Sequence, residues 1–94
     1  MTKTQQELIT DFNLKEDLVP VTNSDGKQIN KLIGWSKAVH MMPYGGRMSV
    51  SDDFKRLKLQ LWKTSYSDNE LFLSFTTSDI DIFRKFIDMI KECI

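Results

Sequence analysis

The chain has 94 residues, 40% hydrophobic and 28% charged, with 13 Lys/Arg against 13 Asp/Glu and a formal net charge of zero. That length makes one domain, 1–94, near the lower end of what builds a core without staples, and the composition argues against disorder. The single cysteine, Cys93, excludes an internal disulfide framework, no apolar run approaches the roughly 18 residues of a membrane span, and the N-terminus lacks a signal-peptide core. The expected compartment is therefore cytoplasmic, with no membrane partner.

Charge is distributed unevenly. Residues 1–26 carry a net −3, residues 27–63 a net +6, and residues 64–94 a net −3. A basic middle between acidic ends is an electrostatic footprint for an anionic partner.

Thr4-Gln-Gln-Glu7 has capping-box spacing, and Leu8, Ile9 and Phe12 share a face, which predicts a short helix over 4–13 with Asn13 at its end. Leu18 to Thr22 is a brief extended segment, and Pro20 confines it to a sheet edge. Asn23-Ser-Asp-Gly26 is a turn by composition. Beyond it Ile29, Ile33, Trp35, Val39 and Met41 all stand at odd positions, which predicts a long or bent strand with a bulge at Gly34; a helix over 27–33 is the competing assignment. Met42-Pro43-Tyr44-Gly45-Gly46-Arg47 is expected to be the most flexible stretch, a functional loop or a chain reversal.

The organising unit is a hairpin followed by a helix. Its first arm, Phe54 to Lys63, puts Leu57, Leu59 and Leu61 on one face and Lys58, Gln60 and Trp62 on the other. After a polar loop containing Tyr66, the return arm is Leu71 to Phe75. A symmetric loop would place Trp62 opposite Phe72, Leu61 opposite Leu73 and Leu59 opposite Phe75, with Leu71, Leu73 and Phe75 extending the leucine face. Ser78-Asp-Ile-Asp81 resembles a second capping box, and Ile82, Phe83, Phe86, Ile87, Ile90 and Ile94 form an apolar stripe to cover that face. Asp81–Lys85 and Arg84–Asp88 are spaced as i,i+4 ion pairs.

Enzymatic chemistry finds little to stand on. His40 and Cys93 are each unique, so no His/Cys metal cluster forms within one chain, and a cysteine near a helix C-terminus is poorly activated. Asp52/Asp53 and Asp79/Asp81 have the settings of a turn and a helix start. Gly45-Gly46-Arg47 could offer backbone N–H groups and a cation to a phosphate, but the full phosphate-loop spacing is absent. No catalytic residue, metal or cofactor is expected.

The functional hint is the second face of the hairpin. Trp62 and Phe72 with Lys58, and Lys55, Arg56 and Lys63 nearby, combine stacking surfaces with cations, as single-stranded nucleic acid requires. Tyr66, and Trp35, Lys31 and Lys37 on the preceding strand, would widen the platform, with Arg47 as a further phosphate contact. Alternatively Trp62 and Phe72 form a second core layer under Leu8, Ile9 and Phe12 of the N-terminal helix, or under another copy of the chain.

Arg56-Leu-Lys-Leu-Gln-Leu-Trp62, the polar loop, Leu71 to Phe75, and Ser78-Asp-Ile-Asp with the helix to Ile94 together resemble the PC4-like coactivator family of single-stranded DNA-binding proteins. In that family an antiparallel sheet presents basic and aromatic residues to the strand, and the helices build a dimer. The resemblance implies that Lys58, Trp62 and Lys63 contact nucleic acid.

The expectation is an α+β domain: a small antiparallel sheet of three to five strands, a short N-terminal helix, and an amphipathic C-terminal helix packed on one face. A homodimer suits a chain this small. The expected function is non-enzymatic binding of nucleic acid through Lys58, Trp62, Lys63, Phe72, Tyr66, Arg56 and Arg47. The alternative is a protein-binding inhibitor or adaptor that sets the same patch against an acidic protein partner.

Overall fold

The computed structural model describes residues 1–41, 44–64 and 69–93. They form α1 (Lys3–Asp11), β1 (Lys15–Thr22), β2 (Gln28–Met41), β3 (Tyr44–Ser51), β4 (Leu57–Thr64), β5 (Asn69–Thr77) and α2 (Ile80–Cys93). The strands make one antiparallel sheet in the order β1-β2-β3-β4-β5, so each pairs with its neighbour in sequence. This is the expected α+β architecture, at the upper end of the expected strand number.

The N-terminal helix is capped two residues earlier than the Thr4–Glu7 spacing predicts. Thr2 and Gln5 form the reciprocal box, each side chain bonded to the other's backbone N–H. The helix ends as Asn13 predicts. Asn13 has a φ of 52°, and the N–H groups of Asn13 and Leu14 bond back to the carbonyls of Thr10 and Ile9, satisfying the last turn.

Pro20 lies on the edge strand, as expected, opposite Asn30. The turn after β1 is held by the Asn23 carboxamide oxygen, which accepts from the Asp25 and Lys27 N–H groups, and Gly26 has a φ of 80°. In β2 a bulge forms beside the expected Gly34 and not at it, because Asp17 pairs with Gly34 while Leu18 pairs with Leu32, leaving Ile33 extra. The bulge inverts the face of everything before it. Leu32 therefore joins the core with Trp35 and Val39, whereas Ile29 falls on the opposite side and, with Ile33, is exposed. Uninterrupted odd-position alternation does not hold, since one extra residue shifts a period of two to the other face.

Gly45, Gly46 and Arg47 are strand residues, not a loop. β2 and β3 stay paired from Gly34↔Ser51 through Met41↔Tyr44. Gly46 is demanded by packing: a Cβ there would lie 2.5 Å from the Gln60 carbonyl oxygen, 2.6 Å from Leu61 Cδ2 and 2.9 Å from Val39 Cγ2.

Phe54 belongs to the β3–β4 connection and not to β4. It has a φ of 58° and is buried with its ring 5.1 Å from that of Trp35 at an interplanar angle of 40°. Left-handed backbone costs a bulky residue about 1–2 kcal/mol, offset here by burial and aromatic contact. The connection is tied by Ser51, whose hydroxyl donates to Asp53 and accepts from the Arg56 N–H.

Leu57, Leu59 and Leu61 are fully buried together with Leu8, Phe83 and Ile87. Each such side chain contributes about 1.5–3 kcal/mol on burial. Helix α2 lies on this face, with Phe86 stacked on Phe75 at 4.0 Å. Its cap is Asp79, not Ser78: the Ile82 N–H donates to the Asp79 carboxylate and the Phe83 N–H to the Asp79 carbonyl. Ile82 is exposed and leaves the expected stripe, its place taken by Ile80; Ile94 lies outside the described residues. Helix α1 packs beside α2 on the same face, through Leu8, Ile9 and Phe12. Arg84 reaches across to Asp11 at 3.0 Å and over the Phe12 ring at 5.6 Å. Among the described residues Arg84 therefore pairs with α1 and not with Asp88, and no Asp81–Lys85 ion pair forms.

Both helices thus cover one side of the sheet. The shortest dimension is 19 Å, the thickness of one sheet and one helical layer, and the radius of gyration of 15.5 Å exceeds the roughly 12 Å expected of a compact chain this long. The other side of the sheet carries no element among the described residues.

Candidate nucleic-acid interface

The register of the three central ladders arranges the uncovered face as a grid. Its first row across β2, β3, β4 and β5 is Ser36, Ser49, Lys58 and Thr76. The second is Ala38, Arg47, Gln60 and Ser74, and the third is His40, Gly45, Trp62 and Leu71. Directly opposed residues project from the same face, so each row is a line of neighbours about 4.8 Å apart.

The grid places the expected site residues unequally. Lys58 and Trp62 share the uncovered face, both half-buried, and Arg47 is beside them on β3. Arg56 enters from the β3–β4 connection and lines the rim of the same face with Lys58. Lys63 does not join them. It alternates onto the side of Leu59 and Leu61, exposed at the end of β4. Lys37 is likewise on the helix side, opposite Met48, and Trp35 is buried against Phe54. Lys31, opposite Val19 and ahead of the bulge, falls on the uncovered face. Tyr66 lies outside the described residues.

The symmetric pairing of Trp62 with Phe72 is overturned. The β4–β5 ladder runs Leu59↔Phe75 and Leu61↔Leu73 as expected, then shifts so that Trp62 faces Leu71. Phe72 is the additional residue of this bulge, and its side chain lies outside the described residues. The shift moves Leu71 off the leucine face and places it, 57% exposed, beside Trp62. Nor do Leu8, Ile9 and Phe12 cover Trp62, since α1 is on the far side of the sheet.

Arg47 is held by groups the sequence does not single out. Its Nη2 donates to Ser36 Oγ at 2.8 Å and stands 3.8 Å from Asp17 Oδ1, while Ser36 Oγ donates to the same Asp17 oxygen at 2.8 Å. Among the described residues Ser36 is the buried polar side chain, 6% exposed although it stands on the helix-free face, and these hydrogen bonds satisfy it. A small polar residue wedged between Trp35 and Lys37 was its only sequence signal. Gly45 and Gly46 provide no phosphate cradle, because their stretch of backbone is committed to the β2–β3–β4 ladders.

Asp17, an acidic side chain on this face, is already engaged by Arg47 and Ser36. Lys58, Arg56 and Lys31 have no ion-pair partner among the described residues. The face is therefore cationic with an aromatic at one end. Among the described residues no group of three or more His, Cys, Asp or Glu is placed to hold a metal ion, and no helix is long and apolar enough to cross a membrane. Comparison with known protein families, with curated proteins and with solved structures yields no match.

Proposed function

We propose that this chain is a non-enzymatic binding module that takes single-stranded nucleic acid on the helix-free face of its sheet. The observation that carries the proposal is the placement of Trp62 on the same uncovered face as Lys58 and Arg47, with Arg56 at its rim. A base stacks on the half-buried indole without sequence selection, and the cations neutralise the phosphates that follow. The β4 positions Lys58 and Trp62 are four residues apart, about 13 Å along a strand, so stacking and charge neutralisation engage successive nucleotides of one strand. The likeness of Arg56 to Trp62 to the PC4-like coactivators agrees with this use of a sheet face.

Titration with an unstructured oligonucleotide at low salt tests the reading. Trp62 should be quenched, whereas Trp35, enclosed with Phe54, should not respond. The Trp62→Phe variant should lose the quenching, and added salt should weaken binding steeply. Absence of quenching at low salt in a folded sample would falsify the proposal.

One observation favours a second reading. Leu71, beside Trp62, and Ile29 are exposed aliphatics on this face. They suit an acidic protein partner with apolar anchors better than a polynucleotide. The Leu71→Ser variant separates the two: it should leave oligonucleotide affinity unchanged and abolish binding of such a protein.

A further inference from the structure

A shallow depression of about 440 Å³ opens on the uncovered face at the end remote from Trp62. Its lining includes three of the four members of the first row of the grid, Ser49, Lys58 and Thr76, which are direct cross-strand neighbours on β3, β4 and β5. Arg56 and Asp17 also line it. The groups differ in what they have left to offer. Asp17 is occupied by Ser36 and Arg47. The Ser49 and Thr76 hydroxyls, the Lys58 ammonium and the Arg56 guanidinium have no hydrogen-bond or ion-pair partner among the described residues. The depression is thus lined by two cations and two hydroxyl donors that have no partner among the described residues.

We propose that this depression is a subsite for a phosphate monoester. Strands about 4.8 Å apart place Ser49 and Thr76 on either side of Lys58, so that a hydroxyl donor stands on each flank of the lysine. A monoester carries about −1.5 to −2 charge at pH 7 and three strong acceptor oxygens, which the two cations and two hydroxyls match in sign and number. A backbone diester, with one negative charge and two non-bridging oxygens, uses only part of this set. The phosphoryl group has two sources: the end of a strand whose bases lie towards Trp62, or a small free phosphate. As a statement about strands the inference rests on the nucleic-acid reading above. As a statement about the depression it rests on the cross-strand row alone.

Two measurements test it on the full chain. The first follows backbone amide shifts by NMR during titration with inorganic phosphate, against chloride at matched ionic strength. Shifts should centre on Ser49, Lys58 and Thr76, and Lys58→Gln should weaken phosphate by about tenfold, the loss of one charge-assisted hydrogen bond. The second compares one oligonucleotide sequence bearing a 5′-phosphate, a 3′-phosphate or hydroxyl ends. One phosphorylated form should bind about tenfold tighter than the hydroxyl-ended strand, and Thr76→Val and Ser49→Ala should erase that advantage while Trp62 quenching persists. Phosphate-dependent shifts without an end preference, or without any strand binding, support the subsite and assign it to a small phosphate; the latter removes the nucleic-acid reading alone. Uniform or absent shifts together with equal affinity for all three strands overturn the subsite, even where strands still quench Trp62.

Discussion

Trp62 lies across the β4–β5 ladder from Leu71, because a bulge at Phe72 breaks the symmetric hairpin register. That one-residue shift lies in β5 and brings an exposed aliphatic side chain next to Trp62, whose own place on the helix-free face is set by the unbroken alternation of β4. That alternation also separates the two faces of β4 into different kinds of residue. Leu57, Leu59 and Leu61 are sealed beneath the helices, whereas Lys58, Gln60 and Trp62 are only half-buried.

This separation should be visible in stability. Leu59→Ala is expected to cost about 2–5 kcal/mol by leaving a cavity under α2. Trp62→Ala, on the uncovered face, is expected to cost less than that and to leave a cooperative unfolding transition. Urea unfolding of both variants checks the contrast, and a Trp62→Ala variant that fails to fold would show that the indole is core.

Gly46→Ala is expected to destabilise by about 1–3 kcal/mol through overpacking, although alanine ordinarily favours a strand over glycine. The added methyl meets the Gln60 carbonyl oxygen, which is fixed in the sheet and cannot give way. A thermal-melt comparison with the parent settles the sign.

Asp17 restrains Arg47 and cancels one charge on the uncovered face. Asp17→Asn retains an oxygen acceptor for Ser36 while releasing the guanidinium. Oligonucleotide affinity is expected to rise, and the slope of log K against log salt to steepen by about one phosphate contact. Affinities measured at three or more salt concentrations provide the slope; an unchanged slope would mean that Arg47 does not reach the strand.

The Asp53 carboxyl is held below the usual carboxylate range, first by the Ser51 hydroxyl hydrogen bond and then by the Lys55 N–H. A carboxyl depressed in the folded state stabilises the fold above its unfolded value, about 3.9 for Asp, and loses that contribution as pH falls through the lower folded-state value. The parent should therefore exceed Asp53→Asn in stability at pH 5, and the gap should close as the pH is taken below 3.9. Denaturation midpoints of the two proteins between pH 5 and pH 2 measure it; a gap independent of pH would exclude the linkage.

Local patterns in the chain were sufficient for the elements that depend on near neighbours. Alternation in β4 exposed its leucine face, the i,i+3/i+4 spacing of Phe83, Phe86, Ile87 and Ile90 exposed the buried stripe of α2, and Pro20 marked an edge. Asn13 and Gly26 marked two of the left-handed positions, since these residues take positive φ at low cost, whereas Phe54 carries no such local mark. Each of these signals acts within a few residues. What the pattern could not carry was register. The bulges at Ile33 and Phe72 each add one residue to a ladder, and their effect on faces appears only when the partner strand is in place. For the same reason Gly45 and Gly46, loop-like in composition, became strand residues once β2 and β4 paired on either side of them. The side chosen by α1 was equally a tertiary matter, decided by Leu8 finding Phe83 and the β4 leucines instead of Trp62. The sequence by itself determined that this protein has a leucine core and a basic, aromatic second face. Only the tertiary structure decided that the second face is left without a helix, and that Ser49, Lys58 and Thr76, distant along the chain, stand side by side on it.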